Sequence, residues 1–275
     1  MAKVKDEILT KDVQMYLDKN TVEALGYRSG VGSKIINAIR EGNYERVPER
    51  LMNKVKTIVR TNEMQGLYKT ADCIAFLNAK NDALRHKFMI GITGDTGTGK
   101  SYMSLAVSKA DNVLYYNCHL KNSARVFFHD ILINLKKPIW GNMSELIDRT
   151  AEAINDTENP LLIVDEADKM HREIRAAIHT LRDRTIKNMG VMLVGMPSLK
   201  NDLIKGKELG KQGFSEFYRR VNIWHELRGL SADEIKTVAY TEGIKDVSVQ
   251  RDLRRFTSFG ELMNEIALYK RLNSN

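Results

Sequence analysis

Two short segments carry residue types that together can bind a nucleoside triphosphate and direct water against it. Residues 94–101 read Gly-Asp-Thr-Gly-Thr-Gly-Lys-Ser, a full G-x-x-x-x-G-K-S. Residues 161–168 read Leu-Leu-Ile-Val-Asp-Glu-Ala-Asp, four apolar residues followed by acids. Glycines let successive backbone N–H groups point at phosphate oxygens, and an acid after a buried strand coordinates Mg²⁺. The two segments predict a site for ATP and Mg²⁺ whose chemistry is hydrolysis.

Individual roles follow from the side chains. Lys100 is expected to reach the β- and γ-phosphates, and the Ser101 hydroxyl is expected to bind Mg²⁺ together with Asp165. Glu166 is placed to polarise the attacking water, which makes it the candidate base. The predicted nucleotide-binding residues are Gly94, Asp95, Thr96, Gly97, Thr98, Gly99, Lys100 and Ser101.

Between residues 86 and 228, patterns typical of strands alternate with patterns typical of helices, and these elements hold the two segments. The short apolar runs that fit strands are 88–93, 113–117, 161–164, 191–195 and 221–224. The first run leads into the glycine-rich segment, and a helical pattern follows from Tyr102. This alternation predicts an α/β core with a mainly parallel sheet.

Helical patterns flank the core on both sides. Ser231 with Glu234, and Ser258 with Glu261, have the spacing of capping boxes, so residues 229–275 are predicted to form a short helical lid. Residues 1–60 predict three or four short helices, and residues 61–85 a linker with a leading helix. The predicted fold class is therefore α/β, preceded by a small all-α domain.

The small N-terminal domain contains a segment, residues 30–44, that resembles the second half of a repressor-type helix-turn-helix. A helix at 31–41 would lie in the major groove, after a short helix at 21–25. Residues 1–60 hold 12 Lys+Arg against 8 Asp+Glu, a net charge of +4. A helical domain that binds protein is the alternative. The candidate DNA contacts are Arg28, Ser33, Lys34, Asn37 and Arg40.

Charge and composition limit the classes of function. The chain has 275 residues, a net charge of +8 and a pI near 9.3, which fits either an acidic partner such as nucleic acid or an ordinary basic protein. Cys73 and Cys118 lack metal-ligand or redox spacing, so reduced thiols are expected. The N-terminus lacks a signal-peptide core and no apolar run approaches the ~20 residues of a membrane span. We therefore expect a cytoplasmic protein without a membrane partner.

The order of these motifs resembles that of AAA+ ATPases. The glycine-rich segment 94–101, here called the P-loop, comes first. It is followed by a strand that ends in Asn117, and then by the strand at 161–164 that leads into Asp165 and Glu166, here called the acid strand. A strand at 191–195, the pair Arg219-Arg220 and a helical lid complete the order. The resemblance implies that Arg219 or Arg220 is an arginine finger, which acts on the ATP of a neighbouring subunit. On residue type alone, the pair equally fits the end of a surface helix.

Sensor positions are less regular in this sequence. Asn117 fits either the polar residue that restrains the catalytic glutamate in many AAA+ proteins or a cap for the following helix. After the fourth strand the residues are Met196-Pro197-Ser198, which makes Ser198 the candidate sensor. Met263 stands where a second sensor arginine often lies in the lid, and this puts tight lid closure in doubt.

The order of the modules supports a closer resemblance. A repressor-like helical domain, a linker and a compact core with a short lid are similar to the transposition target-selection ATPases, a bacterial and phage-encoded family that includes the B protein of bacteriophage Mu. Residues 193–197 (Leu-Val-Gly-Met-Pro) and 230–234 (Leu-Ser-Ala-Asp-Glu) fit that group. The resemblance implies an ATP-bound protein that assembles into a helical filament or ring on duplex DNA. It then delivers this DNA to a transposase, which it stimulates.

Cations that follow strands of the core are candidates for phosphate contacts on DNA. They are Lys121 and Arg125 after the second strand, and Lys169, Arg172 and Arg175 after the acid strand. A solvated face of a helix at 171–187 is the alternative for Arg172 and Arg175. Two other functions share this core: a helicase loader, and an AAA+ regulator that does not act on DNA.

Overall fold

The computed structural model describes residues 7–17, 21–45, 47–59, 67–118, 123–185 and 188–273. The chain divides into two compact units, Met1–Leu67 and Tyr68–Asn275. The helix predicted in the linker is α5 (Ala71–His86), and it contacts two strands of the second unit. The boundary between the units therefore precedes this helix.

The first unit is all-α over its described residues. It contains α1 (Glu7–Leu17), α2 (Val22–Ser29), α3 (Ser33–Arg40) and α4 (Glu49–Val59). Their apolar faces meet in one core, which includes Leu9, Val13, Leu25, Ile36, Ile39 and Val55. The Thr10 hydroxyl donates to Ile39 O at 3.0 Å, which ties α1 to the end of α3.

The second unit is built on a five-stranded parallel sheet in the order β2-β3-β4-β1-β5. The strands are β1 (Met89–Thr93), β2 (Val113–Asn117), β3 (Leu161–Asp165), β4 (Gly190–Gly195) and β5 (Val221–Glu226). All five predicted strands are present, and the parallel α/β class is confirmed. In the register, Asn117 lies opposite Asp165, and Thr93 lies opposite Gly195. The carboxyl ends of four strands thus meet at one edge.

Helices connect and cover the strands. They are α6 (Lys100–Val107), α7 (Ala124–Asn134), α8 (Met143–Asn155), α9 (Arg172–Thr185), α10 (Ser198–Glu208) and α11 (Phe214–Arg220). The main core of this unit includes Phe127, Phe128, Ile131, Leu162, Val164 and Leu193. Leu162, Val164 and Leu193 are fully buried, as expected for strands covered on both faces, and the three residues from α7 pack into the same core.

The lid consists of α12 (Ala232–Thr241), α13 (Val247–Leu253) and α14 (Phe259–Leu272). The capping box of Ser231 and Glu234 is present at the start of α12. Ser258 caps α14 by accepting from the Glu261 N–H. A separate apolar cluster holds the three helices together, with Ile235, Val238, Leu253, Leu262 and Ile266 at its centre.

Two predicted helix bounds change in the structure. The helix predicted at 31–41 begins at Ser33, because Gly32 is extended (φ −64°, ψ 146°), and ends at Arg40. The helix predicted at 21–25 continues to Ser29. Within the part of the chain that the structure describes, no helix combines the length and apolar character needed to cross a bilayer.

Candidate functional site

The glycine-rich segment forms a tight loop between β1 and α6. Gly97 and Gly99 have φ values of 82° and 87°, which L side chains rarely adopt. A Cβ at Gly97 would also overlap the Ser258 hydroxyl. The loop therefore requires glycine at these positions, and it delivers the chain directly into the N-terminus of α6 at Lys100. A helix N-terminus behind such a loop is a favourable place for phosphate.

The Lys100 ammonium lies inside this loop. Its Nζ donates to Gly94 O at 2.6 Å and to Asp95 O at 2.8 Å. Burial lowers the pKa of Lys100, whereas the nearby carboxylates of Asp165 and Asp168 act to raise it. The loop carbonyls thus hold the ammonium within the glycine-rich loop.

Asp165 is the most buried carboxylate of the site, with 1% of its surface exposed. Its Oδ1 accepts the Glu166 N–H at 2.9 Å, and its Oδ2 accepts the Tyr115 hydroxyl at 2.9 Å. Burial raises the pKa of Tyr115 to about 12, so the phenol remains a donor at neutral pH. Tyr115 was not among the residues predicted from the sequence. Its signal was the two-residue period of β2, which places Tyr115 and Asn117 on the same face.

Asn117 lies beside this pair. Its Nδ2 donates to the Tyr115 hydroxyl at 3.3 Å, and its Oδ1 is buried without a hydrogen-bond partner among the described residues. The helix that follows is capped by Ser123, which accepts the Val126 N–H. Of the two roles considered for Asn117, the cap of this helix belongs to Ser123 instead.

The donor set fits Mg²⁺. Asp165 and Ser101 offer a carboxylate and a hydroxyl, and hard oxygen ligands are those that Mg²⁺ prefers. Asn117 Oδ1 adds a buried oxygen next to Tyr115 that has no partner among the described residues, and it could accept a hydrogen bond from water bound to such an ion. Ser101 is exposed in the first turn of α6, adjacent to Lys100.

Glu166 follows Asp165 with a left-handed backbone (φ 50°), an uncommon conformation for a residue other than glycine. Its carboxylate forms an ion pair with Lys169, at 2.6 Å between Nζ and Oε2. The two residues are joined by a single 3-10 turn, Ala167–Lys169. Glu166, the candidate base, therefore forms its ion pair with Lys169, a cation only three residues further along the chain.

The end of β4 contributes a thioether to the P-loop. Met196 Sδ lies 3.9 Å from Lys100 Nζ and 3.6 Å from Thr96 Oγ1. The Met196 N–H donates to Asp168 Oδ1 at 2.9 Å, which fixes the turn after β3 to the end of β4. Ser198, the candidate sensor, is the exposed first residue of α10. The side chain that reaches the P-loop from this strand is that of Met196.

The lid contacts the P-loop through the first turn of α14. The Gly260 N–H donates to Gly97 O at 2.9 Å, and the Phe259 ring lies 5.5 Å from that of Tyr68 between centroids. The lid therefore contacts the glycine-rich loop through a backbone hydrogen bond. Met263, which stands where a sensor arginine often lies, packs within the lid.

The two candidate finger residues differ in their surroundings. Arg220 forms an ion pair with Asp183, and 23% of its side chain is exposed. Its Nε is buried without a partner among the described residues. Arg219 is exposed at the end of α11. Of the pair, Arg219 is the side chain presented to solvent.

The candidate phosphate-binding arginines of the core have partners within the chain. Arg125 donates to Gly141 O at 2.7 Å, and Arg172 donates to Gln212 Oε1 at 2.5 Å. Arg175 donates to Met170 O at 2.9 Å, and its guanidinium lies 4.2 Å from the centroid of the Phe214 ring. Lys121 lies outside the described residues. Arg172 and Arg175 thus hold the start of α11 and the turn before it.

In the first unit, α3 buries Ile36 and Ile39 and exposes the opposite side. Ser33, Lys34 and Arg40 are exposed, and Asn37 is partly exposed. Arg28 lies in α2. The structure therefore leaves the polar face of α3 available.

Known proteins share this architecture. A family model described as an AAA domain matches residues 83–203, from the last turn of α5 into α10. The second unit has the P-loop AAA+ fold. The ORC2 protein of Aeropyrum pernix, solved in complexes with ADPNP and ADP, has 16% sequence identity and a TM-score of 0.51 over 73% of this chain and 60% of that chain. A structure of a DNA replication initiation factor has 17% identity and a TM-score of 0.48 over 72% of this chain and 60% of that one.

At these identities, the likeness to solved AAA+ structures concerns the fold alone. The chain spans about 60% of the length of the solved chains it matches. A search among curated proteins found no match. The AAA domain match covers the P-loop, the acid strand and β4, and it ends before α11 and the lid.

Proposed function

We propose that this AAA+ unit binds ATP with Mg²⁺ and hydrolyses it to ADP and phosphate. The observation that carries the proposal is the meeting of Lys100, Asp165 and Glu166 at one edge of the sheet. The half-buried ammonium lies inside the loop after β1, and the two acids stand at the end of β3. Lys100 and the loop amides would hold the phosphates, and Asp165 and Ser101 would hold Mg²⁺, which would supply neutralisation of the phosphate charge. Glu166 takes the proton of the attacking water. Asn117, next to Tyr115 at the end of β2, remains a candidate sensor, as does Ser198 at the exposed start of α10.

Hydrolysis is proposed to require a second copy of the chain. Arg219 is the exposed member of the basic pair at the end of α11, whereas Arg220 is bound to Asp183. A finger that acts in trans needs a head-to-tail contact, and such contacts generate rings or open helices. ATP-dependent assembly into a filament or ring is therefore part of the proposal.

Duplex DNA is the proposed surface for this assembly. The first unit carries a net charge of +4 within residues 1–60 and exposes the polar face of α3. Together with the resemblance of the module order, this supports delivery of target DNA to a transposase, which the assembly stimulates. A helicase loader is the alternative, since it would use the same core and the same contact with DNA. Co-purification with a transposase, as opposed to a replicative helicase, distinguishes the two.

Hydrolysis measured against protein concentration tests the proposed function. A trans-acting finger predicts a specific activity that rises with concentration and rises further when duplex DNA gathers the subunits. Mixing Glu166→Gln subunits, which retain Arg219, with Arg219→Ala subunits, which retain Glu166, should restore activity to two inactive proteins. A specific activity independent of concentration, with no rescue on mixing, would contradict trans catalysis.

A further inference from the structure

The carboxylate proposed to activate water already has a charged partner. The Lys169 ammonium lies 2.6 Å from Glu166 Oε2, and this hydrogen bond raises the pKa of Lys169. An ammonium at this distance takes up one of the acceptor sites of the carboxylate that could otherwise receive the attacking water, and it ties the side chain to its own turn. Lys169 is also one of the cations after the acid strand for which a DNA phosphate contact is predicted. The Lys169 ammonium thus has two possible partners that exclude each other, the Glu166 carboxylate and a DNA phosphate.

Local backbone geometry produces the contact. The Lys169 N–H donates to Glu166 O at 2.9 Å, closing a turn from residue i to i+3. Glu166 precedes this 3-10 turn with a left-handed backbone, and its carboxylate meets the ammonium of Lys169, the last residue of the turn. Between them, Asp168 is bound to the Met196 N–H at the end of β4. The turn is therefore fixed to the sheet, and the ammonium is its movable part.

The ion pair is weak enough to be exchanged. The side chains of Lys169 and Glu166 are 39% and 38% exposed. Exposed pairs of this kind shift an equilibrium by only about 1.4- to 5-fold. Phosphates of duplex DNA present a dense negative charge that attracts such ammonium groups. A phosphate outside the turn can therefore draw Lys169 away from Glu166.

We propose that Lys169 is a positioning residue that couples DNA binding to hydrolysis. Without DNA, its ammonium holds the Glu166 carboxylate away from the attacking water. With DNA, a phosphate takes the ammonium and the carboxylate is released. This inference rests on the proposed function, because it assigns a regulator to the same ATP site.

Steady-state ATP hydrolysis with and without duplex DNA tests the coupling. Lys169→Ala should raise the DNA-free rate by about 2- to 5-fold, and the stimulation by DNA should fall by a similar factor. Lys169→Gln is a second neutral variant, and Lys169→Arg should behave like wild type because it keeps the ion pair. Lys109→Ala, an exposed lysine beyond the far end of α6, is the matched control and should change neither rate.

Duplex affinity, measured by fluorescence anisotropy at several salt concentrations, gives a second readout. Loss of one phosphate contact should reduce the log–log salt slope by about 0.9 in both neutral variants. A slope equal to that of wild type would overturn the phosphate contact. If the rate without DNA is unchanged or lower in both neutral variants, Lys169 does not restrain Glu166. The proposed function would still stand in that case, provided that the wild-type protein hydrolyses ATP. A wild-type protein without hydrolysis would overturn the proposed function and this inference together.

Discussion

Asp165 and Glu166 are neighbours in sequence, yet their carboxylates have different surroundings. Asp165 is buried, and both its oxygens accept hydrogen bonds from fixed donors. Glu166 is partly exposed, and it contacts a cation on its own turn. Neighbouring acids with different environments can divide the chemistry between them. A rigid carboxylate suits a metal ligand, and a movable one suits a base that must be released.

The first prediction separates nucleotide binding from turnover. Lys100→Ala should abolish ATP binding, because it removes the ammonium held among the carbonyls of the P-loop. Glu166→Gln should bind ATP like wild type but fail to hydrolyse it, because an amide cannot take a proton from water. Binding of a fluorescent ATP analogue and phosphate release measure the two steps. Turnover at the wild-type rate by Glu166→Gln would show that another group is the base.

The second prediction concerns the metal. Tyr115→Phe removes the hydroxyl that orients Asp165 Oδ2. Loss of such a supporting hydrogen bond typically lowers metal affinity by about 10- to 100-fold. The Mg²⁺ concentration that half-saturates nucleotide binding should rise by that factor, while nucleotide binding in EDTA should stay the same. Tyr116→Phe, on the other face of β2, is a matched control. Equal Mg²⁺ dependence in Tyr115→Phe and wild type would remove Tyr115 from the site.

The placement of single residues could be predicted from the sequence where a motif fixes its own geometry. The glycine-rich loop and the acid pair could be placed because their spacing is tied to a strand, a turn and a helix. The contacts of Tyr115, Met196 and Lys169 run between different strands or across one turn, and their residue types carry no signature of those contacts. Strand alternation would have placed Tyr115 beside Asn117, but its partner Asp165 depends on the sheet order.

At the scale of elements, α5 anchors the junction between β5 and the lid. The Asp72 carboxylate accepts the Arg228 N–H at 3.0 Å and the Gly229 N–H at 2.8 Å. Gly229 has a φ of 84°, and a side chain there would press on Thr257 O. The junction that leads into the lid is thus held by one buried acid, Asp72, in the first turn of α5.

The third prediction follows from this anchor. Asp72→Ala leaves two N–H groups of the junction without their acceptor and should cost about 1–3 kcal/mol of stability. For a unit of this size, that lowers Tm by roughly 2–4 °C per kcal/mol. It should also weaken ATP binding, because the lid contacts the P-loop at Gly97. Circular dichroism melts measure the first effect, with the exposed Asp111→Ala as control. A melt equal to that of wild type would contradict the anchoring role.

The fourth prediction distinguishes the two arginines at the end of α11. Arg219→Ala should leave Tm unchanged, because the side chain is exposed, and should lower hydrolysis by roughly 10³-fold or more. Arg220→Ala should lower Tm, because it breaks the ion pair with Asp183. Thermal melts and phosphate release at one protein concentration compare the variants. Normal turnover by Arg219→Ala would exclude it as the finger.

Element boundaries were predictable where local chemistry ends an element. All five strands were located from their apolar runs, and both Ser-x-x-Glu helix starts are present. The helix predicted from residue 31 was too long, because Val31 is buried in the core while still outside the helix. An apolar residue can be buried either inside a helix or just before it, so apolar periodicity alone could not tell where this helix begins.

At the scale of the whole molecule, charge is divided between the two units. Residues 1–60 carry +4, and the remainder carries 31 Lys+Arg against 27 Asp+Glu, also +4. A small module with this charge is expected to bind a duplex weakly, whereas many copies held along one duplex bind at high effective concentration. Assembly by the AAA+ unit would supply that multivalency. We therefore propose that ATP binding, DNA binding and self-association act together.

Electron microscopy of the Glu166→Gln protein with duplex DNA tests that claim most directly. This variant should retain bound ATP, so any assembly that depends on ATP should persist. We predict regular filaments or rings on the duplex with ATP and Mg²⁺, and bare DNA with ADP or with Arg219→Ala added to the variant. Bare DNA in the presence of ATP, or the same particles with ATP and with ADP, would contradict an ATP-dependent assembly on DNA.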